Sequence, residues 1–265
     1  MYFEIGNLRL FYTDTGGRGV PLLCLPPFPF DHRLWREQRP LTDVARLILP
    51  DLRGTGESSI TQGPYTMELH AVDMFHVLDD LKIEQAVVMG ASMGAYVAFA
   101  MYARRPERIK GLIITDSRAE ADTPEQAERR RMTVEGLRAE GTGAIVSRVN
   151  DLFAATTRAE RPALVEEFQK MTAKMDPEGL AQTTLGMAMR ADYTELLGEI
   201  EVPTLVLCGE EDTVSPPDGM RHMAEQIPGA EEFHIIPAAG HLAPLEQPDV
   251  FNGYVRDFLE NAIKR

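Results

Sequence analysis

Ala86-Val87-Val88-Met89-Gly90-Ala91-Ser92-Met93-Gly94-Ala95 leads without a break into the alanine-rich run Ala95–Arg105. Ala86 to Met89 is a short continuous apolar run, the pattern of a strand covered on both faces. Ala95 to Arg105 is apolar on most sides, as in a buried helix. Between them Gly-x-Ser-x-Gly fits a tight turn from strand to helix. Small residues are needed two positions either side of Ser92, because side chains there would collide. Such a turn lifts the serine hydroxyl above the sheet edge and aims a helix amino terminus at it. The motif alone is weak evidence; its place between strand and helix is what gives it weight.

Outward from this point the same rhythm recurs. Val20–Leu25, Val44–Leu49, Ile109–Thr115 and Thr204–Cys208 are further short apolar runs. Met67, Ala71, Met74, Leu78 and Leu81 form the stripe of an amphipathic helix, and Phe251, Val255, Phe258 and Leu259 mark a closing one. Tyr2–Ile5 and Leu8–Thr13 alternate around Gly6-Asn7, a hairpin signature. Alternating strands and helices predict an α/β fold with a mostly parallel, right-handed sheet. From 118 to 200 no strand-like run occurs. Helices are expected near Pro124–Glu140, Thr142–Phe153, Glu160–Lys174 and Pro177–Arg190. The expected organisation is therefore a core of residues 1–117 and 201–265 with a helical insertion, 118–200. That insertion carries Met132, Met171, Met175, Met187 and Met189, either gap-filling core or a pliable cavity lining.

Composition bounds the function. The chain has 265 residues, 44% of them apolar, enough for one large core. Against 27 Lys and Arg stand 41 Asp and Glu, a formal charge of −14. Such a field disfavours nucleic acid and anionic membrane surfaces as partners, and an anionic substrate would need local positive charge. The amino terminus shows no signal-peptide pattern, and no apolar window approaches the roughly eighteen residues of a membrane span. A cytoplasmic chain is the expectation. Cys24 and Cys208 lie in apolar runs and read as buried structural thiols. No Cys and His clustering of metal-ligand type is visible, and no metal or organic cofactor is expected.

A serine hydroxyl needs a base to accept its proton. Of six histidines, His70, His76, His222 and His234 read as solvated positions on helices or a strand. His32, after the Val20–Leu25 run, is a candidate pocket residue. His241 is the choice for the base. It lies in Ala238-Ala239-Gly240-His241-Leu242-Ala243-Pro244, after the apolar pair Ile235-Ile236 and before the closing helix. The base needs a carboxylate to hold its tautomer. Asp212, just past Thr204–Cys208, is the first candidate and Asp116, just past Ile109–Thr115, its rival; Glu210 and Glu211 read as solvated.

Asp51-Leu52-Arg53-Gly54-Thr55-Gly56-Glu57-Ser58, the Ser92 turn, the Gly209–Asp212 loop and the Gly240-His241 loop occur in an order that resembles the α/β-hydrolases, from about residue 20 to the end. The chain is most similar to the bacterial esterase, enol-lactonase and cofactor-free perhydrolase branch, and Ala121-Asp122-Thr123-Pro124-Glu125 resembles such members as well. The resemblance implies a catalytic triad of Ser92, Asp212 and His241, a structural role for Asp51–Ser58, and a lid or cap for 118–200. Where that family commonly has His-Gly, this chain has Pro26-Pro27-Phe28-Pro29. The backbone N–H groups aligned with the oxyanion hole are those of Phe28 and Met93. The activity implied is cleavage of a small-molecule ester or lactone through an acyl-enzyme. The alternatives are perhydrolysis on the same acyl-enzyme and a small-molecule receptor on the same fold.

Overall fold

The computed structural model describes residues 1–263, Glu231 by its backbone alone. Tyr2–Ile5 (β1) and Leu8–Asp14 (β2) form the expected hairpin. Val20–Leu25 (β3), Ala45–Pro50 (β4), Met67–Asp80 (α1), Ala86–Ala91 (β5), Met93–Arg104 (α2) and Ile109–Thr115 (β6) follow. A helical run comes next: Pro124–Glu140 (α3), Gly143–Val146 (α4), Ala155–Glu160 (α5), Pro162–Ala173 (α6), Pro177–Ala188 (α7) and Thr194–Leu197 (α8). Thr204–Gly209 (β7), Pro217–Glu225 (α9), Ala230–Ile236 (β8), Ala243–Glu246 (α10) and Pro248–Asn261 (α11) close the chain.

Among the described residues the strands form one eight-stranded sheet, ordered β1-β2-β4-β3-β5-β6-β7-β8. β1, β2 and β4 pair antiparallel, and every pairing from β4 through β8 is parallel. Successive side chains of the central strands enter two different cores. Leu23, Leu25, Val88, Leu112, Ile114 and Val206 pack on one face with residues of α1, α2 and α9. Leu22, Cys24, Val87, Met89, Ile113 and Leu205 pack on the other with α11 and the 3₁₀ stretch His32–Asp43. This two-sided burial is why the strands read as unbroken apolar runs. Val134, Leu137, Phe168 and Leu180 of the helical run join that second core, so the run is packed onto the sheet.

Several expectations need correction. His70 is fully buried, not solvated. It lies three residues after Met67 and four before Met74, on the buried face of α1, which is broader than the Met67, Ala71, Met74, Leu78 and Leu81 stripe. His76 is half-buried and stacks on Phe3, and His234 stacks on Tyr254. Residues 142–153 split into α4 and a 3₁₀ turn, Ser147–Leu152. The helix expected over 160–174 starts instead at Pro162, with α5 ending at Glu160 just before it. Proline lacks an N–H and suits the first position of a helix, not its interior. Met171, Met175 and Met187 are buried, whereas Met132 and Met189 are exposed. Among the described residues no helix is long and apolar enough to cross a membrane.

Candidate active site

Ser92 sits between β5 and α2 with φ of +50° and ψ of −114°, a backbone conformation that L-residues adopt only when held there. Its N–H donates to the Thr115 carbonyl at 3.0 Å, tying the turn to the end of β6. The flanking glycines are sterically required. A Cβ on Gly94 would lie 2.1 Å from the Leu25 carbonyl oxygen, and one on Gly90 would lie 2.5 Å from the Ala95 nitrogen. The first turn of α2 thus presses against the end of β3, where the Pro26–Pro29 loop begins.

His241 reaches this serine from the loop after β8. Its Nε2 is 2.8 Å from Ser92 Oγ, and its Nδ1 is 2.8 Å from Asp212 Oδ2. A carboxylate can only accept, so Nδ1 carries the proton and Nε2 is left to accept from the hydroxyl. Asp212, just past β7, also accepts at Oδ1 from the N–H groups of Val214 (2.7 Å) and Ser215 (3.0 Å). Both His241 and Asp212 are buried. Burial alone would pull the imidazole pKa down. The charge and hydrogen bond of Asp212, with the charge of Asp116, outweigh it and hold His241 above its usual range. An arrangement of this kind can take a proton from a hydroxyl and store it as a stabilised imidazolium.

Asp116, the rival, is fully buried but turned elsewhere. It accepts from the Gly209 N–H at 2.7 Å and from the Thr115 hydroxyl at 2.6 Å. Burial and the neighbouring Asp212 charge push its pKa up. Glu211 accepts from the Ala155 N–H and the Thr156 hydroxyl, and Glu210 from the Ala238 N–H. His32 does not share the cavity of Ser92: its Nδ1 is 2.6 Å from Asp51 Oδ1. Asp51 also accepts from the N–H groups of His32 and Glu57, which folds the Asp51–Ser58 segment back on itself.

Ser92 and His241 open onto a cavity of about 360 Å³, with Phe28, Leu152 and Met187 on its wall. Among the described residues, neither the Phe28 N–H nor the Met93 N–H donates to a protein acceptor. One residue that the sequence did not single out holds the histidine loop. Glu246 Oε1 accepts from the N–H groups of Gly240 (2.9 Å) and Leu242 (3.3 Å), on either side of His241, and Oε2 accepts from Ala154 N–H (2.8 Å). Gly240 is there for space, since a Cβ would meet the Ala154 nitrogen at 2.5 Å.

Among the described residues, two groups of side chains lie close enough to share a cation, with ligand atoms within 4.8 Å: Asp31, His32 and Asp51, and Asp116, Cys208 and Asp212. Their chemistry fits a metal poorly. Asp31 is engaged by Arg33, Asp51 is saturated by donors, and the buried Cys208 thiol has its pKa pushed up by burial and by both aspartates.

A model of the alpha/beta hydrolase fold family matches residues 20–248. A solved thermophilic esterase from Thermogutta terrifontis, with malate bound, is 41% identical with a TM-score of 0.93, covering 96% of this chain and 94% of that one. A protein of Azorhizobium caulinodans that bears the name carbamate hydrolase RutD is 31% identical over 263 residues, 97% of each chain. The 3-oxoadipate enol-lactonase 1 of Acinetobacter baylyi is 28% identical over 232 residues, 85% of each chain.

Proposed function

This chain is a hydrolase of the α/β-hydrolase family, and from that membership we propose that it cleaves carboxylic esters or lactones through an acyl-enzyme on Ser92. The observation that carries the reading is the relay of two 2.8 Å contacts from Ser92 Oγ through His241 to Asp212. The similarity to an esterase and to an enol-lactonase supports oxygen as the leaving atom.

In the reaction, Ser92 Oγ attacks the carbonyl carbon while its proton passes to His241 Nε2. The carbonyl oxygen becomes an oxyanion, held by the N–H groups of Phe28 and Met93. Collapse of the tetrahedral intermediate breaks the bond to the alkoxide, which leaves with the proton from Nε2. A water then loses its proton to Nε2 and attacks the acyl-serine, and a second collapse releases the acid and restores the hydroxyl. Asp212 stays ionised throughout, holding Nδ1–H and stabilising the imidazolium. In a lactone the alcohol stays tethered to the acid, so a single hydroxy acid emerges. Residues 118–200 serve as a cap whose lining sets substrate fit, and Met187 gives that lining a pliable element.

A fluorophosphonate tests the assignment. Peptide mapping should find the label on Ser92 alone, and Ser92→Ala should lose several orders of magnitude in turnover of nitrophenyl esters and small lactones. Label on another serine, or full esterase activity in Ser92→Ala, would reject it. An aryl carbamate belongs in the same panel; faster steady turnover of it than of the matched ester would move the substrate class from esters to carbamates.

A further inference from the structure

On the premise that Ser92 is the acylated residue, we infer that the substrate carries a carboxylate apart from its reacting carbonyl, gripped by Arg130 and Arg148. The chain as a whole is strongly acidic, at −14. The wall of the Ser92 cavity reverses that sign: it holds Arg118, Arg129, Arg130 and Arg148, with Asp122 the one acid among the described residues. Asp122 does not cancel this charge. It accepts from Arg130 Nε at 2.5 Å and from the buried Arg190 Nη1 at 2.5 Å, so two guanidiniums share one carboxylate. Arg118 donates to the Val214 carbonyl, which carries no formal charge. Arg148 Nη1 donates to Thr133 Oγ1 at 3.0 Å, and Thr133 donates in turn to the Arg129 carbonyl at 3.0 Å. Among the described residues no carboxylate lies within 4.0 Å of a charged nitrogen of Arg118, Arg129 or Arg148.

Arg130 and Arg148 are distinguished from the others by position. Both also border an adjoining cavity of about 180 Å³, which shares Phe28 with the first and has Ile145 and Val149 on its wall. Arg130 gives Nε and Nη2 to the Asp122 carboxylate at 2.5 and 3.4 Å, which fixes the plane of its guanidinium and leaves Nη1, 3.5 Å from Met187 Sδ, towards the cavity. Among the described residues the exposed Arg148 is tethered through Nη1 to Thr133 alone, and it keeps Nε and Nη2 for a ligand. Planar guanidinium forks match a carboxylate, and charge-assisted contacts of this kind are the strong ones. An apolar pocket edged by the Arg148 fork and by Nη1 of Arg130, next to the nucleophile, fits a short hydrocarbon chain ending in a carboxylate. The positive wall also supplies the local attraction that an acidic protein needs to admit an anion.

Two matched pairs of probes test this. In the first, 4-nitrophenyl hemiglutarate is compared with 4-nitrophenyl pentanoate, which places the charge in the acyl chain. In the second, 4-carboxyphenyl butanoate is compared with 4-carbamoylphenyl butanoate, which places it in the leaving group. The anionic member of at least one pair should have the higher kcat/KM by roughly 10–100-fold at low ionic strength, mostly through KM. The ratio should shrink with added salt, fall towards one in Arg148→Gln and Arg130→Gln, and be partly kept in Arg148→Lys. Because each ratio is taken within one preparation, partial misfolding of a variant cancels. No anionic advantage in either pair, or an advantage undiminished in Arg148→Gln, would overturn the inference while Ser92 labelling and turnover of the neutral esters stand. No turnover of any probe together with no label on Ser92 would instead bring down the premise.

Discussion

At the carboxyl ends of β6 and β7 two buried aspartates lie side by side, and their hydrogen bonds assign them different work. Asp212 spends one oxygen on two backbone N–H groups and gives the other to His241 Nδ1. Asp116 spends both on Gly209 and Thr115 and acts on His241 only through its charge. Asp212→Asn should therefore lower kcat by roughly 10³–10⁴, as loss of the tautomer-fixing carboxylate does elsewhere. Glu211 cannot stand in, because its oxygens are engaged by Ala155 and Thr156. Asp116→Asn should cost far less, and it should leave a mark on the pH profile. If His241 is the base, it must be neutral to act, and kcat/KM should rise with pH through the imidazole pKa. That pKa is held above its usual range by the two carboxylates against the pull of burial. Asp116 is itself raised to about 7 by burial and the Asp212 charge, so it carries its charge only on the upper part of that limb. Removing it destabilises the imidazolium there, and the upper part of the acid limb should move to lower pH. Steady-state kinetics of both variants between the acid limb and neutrality check this. A larger loss of kcat in well-folded Asp116→Asn than in Asp212→Asn would exchange their roles.

The elements explain why much of this was legible and where legibility stopped. Central strands and the Ser92 turn were readable because their constraints are local: two-sided burial gives an unbroken apolar run, and the clash of a Cβ at Gly94 with Leu25 permits only glycine there. Glu246 was not readable, since its partners at Ala154 and Gly240 are brought to it by the fold. No local pattern marks the arginines of α3 as site residues; only the packing of the helical run brings Arg129 and Arg130 to the cavity wall. His70 falls outside the Met67–Leu81 stripe visible in the sequence, yet α1 buries a face wide enough to include it. The Pro26–Pro29 loop stands between these cases. Sequence leaves Phe28 as its only main-chain donor, because proline has no N–H. The close approach of α2 to β3 then brings the start of that loop near Met93. If these two N–H groups hold the oxyanion, Phe28→Ala keeps the donor and should retain substantial activity. Phe28→Pro removes it and should lower kcat by roughly 10²–10³. Circular dichroism must first show that the loop substitution leaves the fold intact. A folded Phe28→Pro enzyme with near-normal kcat would remove Phe28 from the oxyanion hole.

At the scale of the whole molecule, buried titratable groups couple folding to pH. The clearest is His70, buried in the core against Tyr65 and near Arg53. Among the described residues neither of its ring nitrogens has a hydrogen-bond partner. Burial, aided by the Arg53 charge, pulls its pKa down to about 3. In the unfolded chain a histidine titrates near pH 6.5. Between those two values the unfolded state binds a proton that the folded state refuses, so stability falls as pH falls. The loss is at most about 1.4 kcal/mol per pH unit inside the window and ceases outside it. Asp73, Asp116 and Glu246 work in the opposite direction, because their raised pKa values let the folded state take protons earlier than the unfolded one does. The acid branch of the whole chain is a sum of both kinds and cannot be assigned from its shape alone. A difference measurement isolates the histidine. His70→Phe keeps an aromatic ring in the site and removes the titration, so stability from urea unfolding should decline less steeply in the variant than in the parent from about pH 6 to about pH 4. The expected gap in slope is on the order of 1 kcal/mol per pH unit. The variant's lower or higher stability at neutral pH, which reflects ring packing, does not enter that comparison. Parallel slopes in the two proteins would mean that His70 is protonated in the folded state as easily as in the unfolded one, and the buried neutral imidazole would have to be given up.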